Sequence, residues 1–159
     1  MSVEAVIAAL AGIEAEIQIT TPLTTAFAFA SPPNSISGNL PCFVNLFGES
    51  VVDMNLGGKD EYGIDVLDTC NYVATLYVAG AGTGTPGESF DKITPWITPA
   101  AKVFLAHPNV ELESGIVLMR YLGHGRARGD LVYGGQQYYG VEFRLQVMSR
   151  MRASYASYE

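Results

Sequence analysis

The sequence predicts an α+β fold: an antiparallel, split β-sheet with an N-terminal helix and a second helix packed on one face. Three observations carry that prediction. Near the C-terminal end Tyr139, Val141, Phe143, Leu145 and Val147 alternate with Tyr138, Gly140, Glu142, Arg144 and Gln146. A period of two marks a strand with one face in a core, so Val141, Phe143, Leu145 and Val147 are expected inside and Glu142, Arg144 and Gln146 outside. At the other end Val3, Val6, Ile7, Leu10, Ile13 and Ile17 recur at helical spacing. Ser2 can cap that helix, and Glu4 sits in its first turn, where the helix dipole favours an acid. Between these segments the order is helix, arm, strand, strand, helix, strand, strand. Short turns between strands around one helix favour antiparallel pairing.

Residues 20–39 hold three prolines and a run of small and polar residues, which predicts an extended arm at about 20–40. A strand begins at about Cys42, behind Pro41, and "LGGKDEYG" reads as a turn. "NYVATLYVAGAG" is a second strand, and it runs into a glycine-rich loop bounded by Gly80 and Gly87. Thr94-Pro95 and Thr98-Pro99 each resemble a cap followed by a first helical residue. They predict a second helix that starts in two short steps, with its long part over 98–106. Ile93, Trp96, Ile97, Ala100, Ala101, Phe104 and Leu105 give it a broad apolar face. "GIVLMRYLG" is a third strand, residues 123–137 an extended connection, and "YYGVEFRLQVM" the fourth strand. The organisation is a single domain over 1–147 with a polar C-terminal tail at 148–159.

Hydrophobic residues make up 48% of the chain and charged ones 16%. A surface so poor in charge is either covered by partners or built of uncharged polar loops. The net charge of −7 is unevenly spread: residues 1–119 carry 13 acids and three lysines, and residues 120–159 carry three acids and six arginines. Arginine is the cation that interfaces favour, because its planar fork pairs bidentately and stacks on rings. An acidic chain argues against holding nucleic acid by its phosphates, yet suits a channel through which DNA slides. Cys42 and Cys70 read as small buried hydrophobes, and no apolar run approaches the ~20 residues of a membrane span.

A catalytic set is hard to assemble from these residues. His107 and His124 stand at no metal-ligand spacing from a cysteine or from each other. Asp60, Glu61, Asp65 and Asp68 could gather a hard cation, but the calcium-loop pattern is missing, and a solvated acidic loop explains them. Gly80, Gly82 and Gly84 follow a strand without the Gly-Lys-Ser/Thr of a phosphate loop. No enzyme activity, metal or cofactor is therefore expected. The rival from another class is a small ligand-binding module or enzyme using the loop between Gly80 and Gly87. The segment "GHGRARGDLVYGG" sets Arg126 and Arg128 among glycines, so that both forks can approach another surface.

In the order of its elements over residues 2–147, and in its closing "YGGQQYYGVEFRLQV", the chain resembles the tail-terminator and tail-completion (neck) proteins of long-tailed bacteriophages. The resemblance implies a structural virion protein. Six copies would form a ring that caps the tail tube, joins the head-tail connector or head-closure protein, and lets DNA pass without sequence-specific binding. It implies assembly in the host cytoplasm, residence in the tail or neck of the virion, and no membrane. A head-closure or tail-tube subunit stays open beside it. The expected interface comprises Tyr121, His124, Arg126, Arg128, Tyr133 and Tyr138, with the arginines reaching Asp60, Glu61, Asp65 or Asp68 of a neighbouring copy.

Overall fold

Helix α1 covers Val3–Glu14 in the computed structural model, which describes residues 2–20, 22–54, 62–82 and 86–154. The Ser2 hydroxyl accepts from the Ala5 amide at 3.2 Å and caps the helix. Val6, Leu10 and Ile13 are buried, as the periodicity requires. After a short ribbon of β1 (Gln18–Thr20) and β2 (Leu23–Thr25), β3 (Phe27–Ala28) lies parallel to the start of β4 (Cys42–Asp53). The rest of the main sheet is antiparallel: β5 (Gly63–Gly80), β6 (Asn109–Leu112), β7 (Gly115–His124), β8 (Arg128–Tyr133) and β9 (Gln136–Ser154), in the order β3-β4-β5-β9-β7-β6 with β8 on β9. The sheet is mixed α+β in class and split on one side of β9, where β8 pairs with its first residues and β7 with later ones.

Helix α2 (Pro86–Ala106) corrects the two-step reading, because it is continuous through Pro95 and Pro99. A proline in a helix interior costs about 3 kcal/mol. Here Ser89, Ile93, Trp96, Ala100 and Phe104 form one buried stripe. Burial of each large apolar side chain stabilises by about 1.5–3 kcal/mol, which offsets the prolines only if the stripe stays in register. The Thr94 hydroxyl also donates to the Phe90 carbonyl at 3.1 Å beside the first proline.

Both helices lie on one sheet face, over Phe43, Tyr72, Ala74, Leu76, Val141, Phe143, Leu145 and Val147. Those last four residues are fully buried, Arg144 is exposed, and Glu142 and Gln146 are half-buried, so the alternation gave the strand's faces correctly. The opposite face carries a second, smaller core of Ile36, Cys42, Val44, Tyr77, Leu131 and Tyr138. Its lid is the arm. Residues 29–40 fold back onto the sheet, and the Tyr133 hydroxyl donates to the Pro33 carbonyl to hold them there.

Three further expectations change. The connection over 123–137 is largely strand β8, which forms a hairpin with β9 through Gly134 and Gly135, both at positive φ. That two-glycine loop is the twist-matched hairpin turn. The polar tail expected from 148 is strand as far as Ser154, paired residue for residue with β5. The acidic stretch is not all loop: Asp65 and Asp68 sit on β5, while Asp60, Glu61 and most of "LGGKDEYG" lie outside the described residues. Residues 83–85 of the glycine loop also lie outside them.

Candidate interaction surface

Strand register places the arginines. On β5, Tyr72, Ala74 and Leu76 point to the helices, so Asn71, Val73 and Thr75 point the other way. Arg144 stands opposite Val73, Arg150 opposite Leu67 and Arg152 opposite Asp65. Arg120 stands opposite Gln146, and Arg128 opposite Gly140, a residue of the same parity. Arg126 lines a hollow of about 420 Å³ with Val73, Gly125, Arg128, Glu142 and Arg144. Five of the six arginines therefore belong by register to the face that the helices leave uncovered, and Arg126 opens both onto the hollow there and onto another that it shares with Phe90 of α2.

Some have partners within their own chain. Arg128 forks onto Asp130, with Nε to Oδ1 at 2.8 Å and Nη2 to Oδ2 at 3.3 Å, and its Nη1 reaches Glu142 Oε1 at 3.0 Å. The hydrogen bond from Arg128 holds the Asp130 carboxyl below the usual range, and the same bond raises the guanidinium. Asp65 accepts from Arg152 Nη1 at 3.1 Å, and Asp68 faces the Cys70 thiol at 3.5 Å. Within one copy these acids cannot meet Arg126 or Arg128. Ten residues of β5 separate Asp65 from Thr75, the residue opposite Glu142, and at about 3.3 Å per residue that is roughly 33 Å. The side chains of Arg120, Arg126 and Arg150 make no hydrogen bond or ion pair among the described residues, although the charge of Arg126 also acts to lower the Asp130 carboxyl.

The four other candidates fall into two places. The Tyr121 ring stacks on Phe104 at 5.8 Å, and its hydroxyl meets His124 Nδ1 at 3.0 Å, so both lie at the margin of the helix-side core. Tyr133 and Tyr138 pack edge-on against Tyr77 at 5.7 and 5.6 Å in the core beneath the arm. Tyr138, expected at an interface, is 2% exposed and serves its own chain instead. Gly140, beside it, has a packing reason. A Cβ there would stand 2.0 Å from the Leu76 carbonyl oxygen.

The cysteines are free and buried, and burial pushes their thiols up to about 12 at Cys42 and about 11 at Cys70, so neither is a ready nucleophile. Among the described residues no three His, Cys, Asp or Glu side chains are placed to hold a metal ion. One titratable group was missed in the sequence. Glu14 is fully buried, with Asn45 Nδ2 donating to its Oε1 at 2.6 Å. Its Oε2, Asn45 Oδ1 and the Tyr72 hydroxyl are buried without a partner among the described residues. Burial pushes the carboxyl up to about 8, and the Asn45 bond opposes that only in part. The signal was available: Glu14 follows Ile7 and Leu10 on the apolar stripe of α1.

On the helix side, α1 and β6 leave a cleft of about 400 Å³ lined by Ala9, Gly12, Ile13, Glu16, His107, Asn109, Val110 and Glu111. Glu16 Oε2 and His107 Nε2 meet across it at 2.5 Å. Compared with known proteins, the chain matches no family model and no curated protein sequence.

Proposed function

We propose that the protein is a structural subunit that works by self-assembly: copies form a ring of the tail-terminator or tail-completion kind, which caps a phage tail tube and lets DNA through. The observation that carries this reading is the concentration of exposed apolar side chains at one end of the sheet. Val51, Val52 and Met54 on and just after β4, Leu118 on β7 and Met151 on β9, beside or beyond the row of Thr69, are 47–59% exposed. Apolar surface gathered in this way marks a contact site. Strands projecting past their helices can reach a neighbour as rigid elements, and such a patch, set against a different surface of the next copy around a rotation axis, closes a ring. The acidic balance of −7 supports a lumen that does not hold phosphates.

Light scattering on the purified chain, followed by negative-stain imaging, tests the reading. The expected result is a closed ring, six copies if the resemblance holds. A monomer at every concentration up to hundreds of micromolar would sink it.

A further inference from the structure

Self-assembly can be two-fold, with one patch meeting itself, or head-to-tail, with two different patches meeting; only the second builds a ring of identical contacts. The charges distinguish these cases. A two-fold axis through the hollow would crowd Arg126 and Arg144 against their own copies, and like charges brought together cost several kcal/mol. Only Glu142 and Asp130 are there to offset them, and both are already bonded to Arg128. A complementary surface exists elsewhere on the same chain. The α1–β6 cleft on the helix side has Glu16 and Glu111 in its lining, and Glu113 follows in the adjoining turn. Glu16 Oε1, Glu111 and Glu113 have no partner among the described residues, and both glutamates of the β6 segment are exposed.

We infer that the arginine hollow of one copy, centred on Arg126 and Arg144, docks against the α1–β6 cleft of the next, where Glu16 and Glu111 receive it. The inference rests on the self-assembly reading above and adds a charged contact to the apolar one proposed there. The two patches do not overlap. The cleft lies beside α1 at the β6 edge, while the hollow lies on the other face, around Val73 and Glu142. The guanidinium of Arg126 has no hydrogen bond among the described residues and only a charge attraction to Asp130, whereas Arg128 is held by Asp130 and Glu142 and shapes the wall of the hollow. The occupant is a second copy because the chain supplies both halves of the pairing. The arginines of the hollow lie on one side, and on the other lies a cleft in which Glu111 is unpaired among the described residues and Glu16 shares only one carboxylate oxygen, with His107.

Charge reversal in two halves tests this by sedimentation velocity. One variant carries Arg126→Glu with Arg144→Glu, and the other carries Glu16→Lys with Glu111→Lys. Each alone is expected to associate about tenfold more weakly or worse, with its melting temperature close to the parent's because the altered side chains are exposed. Mixed one to one, the variants are expected to regain assembly, since each reversed patch now meets a reversed partner. If the parent assembles and neither variant differs from it, or if the mixture stays dissociated, the head-to-tail docking is wrong while self-assembly stands. If the parent itself stays monomeric, the self-assembly reading falls, and the docking with it. Should the arginine variant assemble normally but lose affinity for a DNA oligonucleotide that the parent binds, the face is a nucleic-acid surface and the inference is overturned.

Discussion

The ladder between β5 and β9 runs through two environments. From Cys70 to Leu76, opposite Val147 to Val141, one face lies under α1 and α2, and every second residue is in the core. From Gly63 to Thr69, opposite residues 148–154, the same strands continue with no residue in that core cluster. Ile64 and Val66 are buried there, but Met151 on β9 is 47% exposed, and Val51 and Val52 on the adjoining β4 are 59% and 51% exposed. Backbone pairing therefore sets how long these strands are, and helix coverage sets only how much of each strand is apolar-inside. A strand can outrun its core as long as a neighbour completes its hydrogen bonds.

That contrast can be broken most sharply at its covered end. Phe143→Ala is expected to cost about 3–5 kcal/mol, because the ring is fully buried against Phe43 and Phe104. Met151→Ala, on the same strand, is expected to cost about 0.5 kcal/mol or less in the isolated subunit. Urea unfolding of the two variants measures the difference. Equal losses would mean that the far end is as well packed as the near one.

A second effect, smaller and tunable, belongs to the junction of α1 with β4. Glu14 has a carboxyl pushed up to about 8 in the folded chain, against an ordinary value of 4.5. The folded state thus binds a proton that the unfolded state releases across that window. Its contribution is most favourable below about pH 4.5 and is lost as the pH rises toward 8. Glu14→Gln keeps an acceptor for Asn45 and removes the ionisation. Its stability relative to the parent is expected to rise steadily from pH 5 to pH 8, read from urea midpoints. A difference that is flat across that range would show that Glu14 is hydrated or re-paired.

The smallest effect on the fold is expected at the bare end. Val51→Lys with Val52→Lys should change subunit stability by about 1 kcal/mol or less, since both side chains are already exposed. The same pair is expected to abolish higher assemblies in light scattering, if that end is where copies meet. Assembly that survives both lysines would separate the exposed apolar end from any contact.

Much of the fold was legible because its signals are local. The alternation from Val141 to Val147 and the stripe of α1 each sit in one short window. What escaped depends on distant partners. Nothing in "SRMRAS" marks a strand; it is strand because β5 lies beside it. The hairpin at Gly134 and Gly135 was the exception, a local signal that was passed over. For the candidate surface, the sequence showed that the arginines cluster late in the chain. It could not show that they share one face, because that follows from register across three strands. Nor could it show that Asp65 and Asp68 have neighbours of their own in the chain, Arg152 and the Cys70 thiol.

The central position of β9 governs when the subunit can form during synthesis. This strand is the most C-terminal element described, yet it joins β5 to both β7 and β8. While the ribosome is still making it, β5 has only β4 at its side, and the helices have half a sheet to rest on. The pairing of Gly63 with Ser154 closes a loop of about ninety residues, so the decisive contacts are among the most distant in the chain. Folding must wait until β9 has emerged and then proceed through non-local closure, which is slow by its topology. A growing chain therefore shows its neighbours on the polysome an open β5 edge and an unfinished apolar face, the surfaces through which crowded chains aggregate.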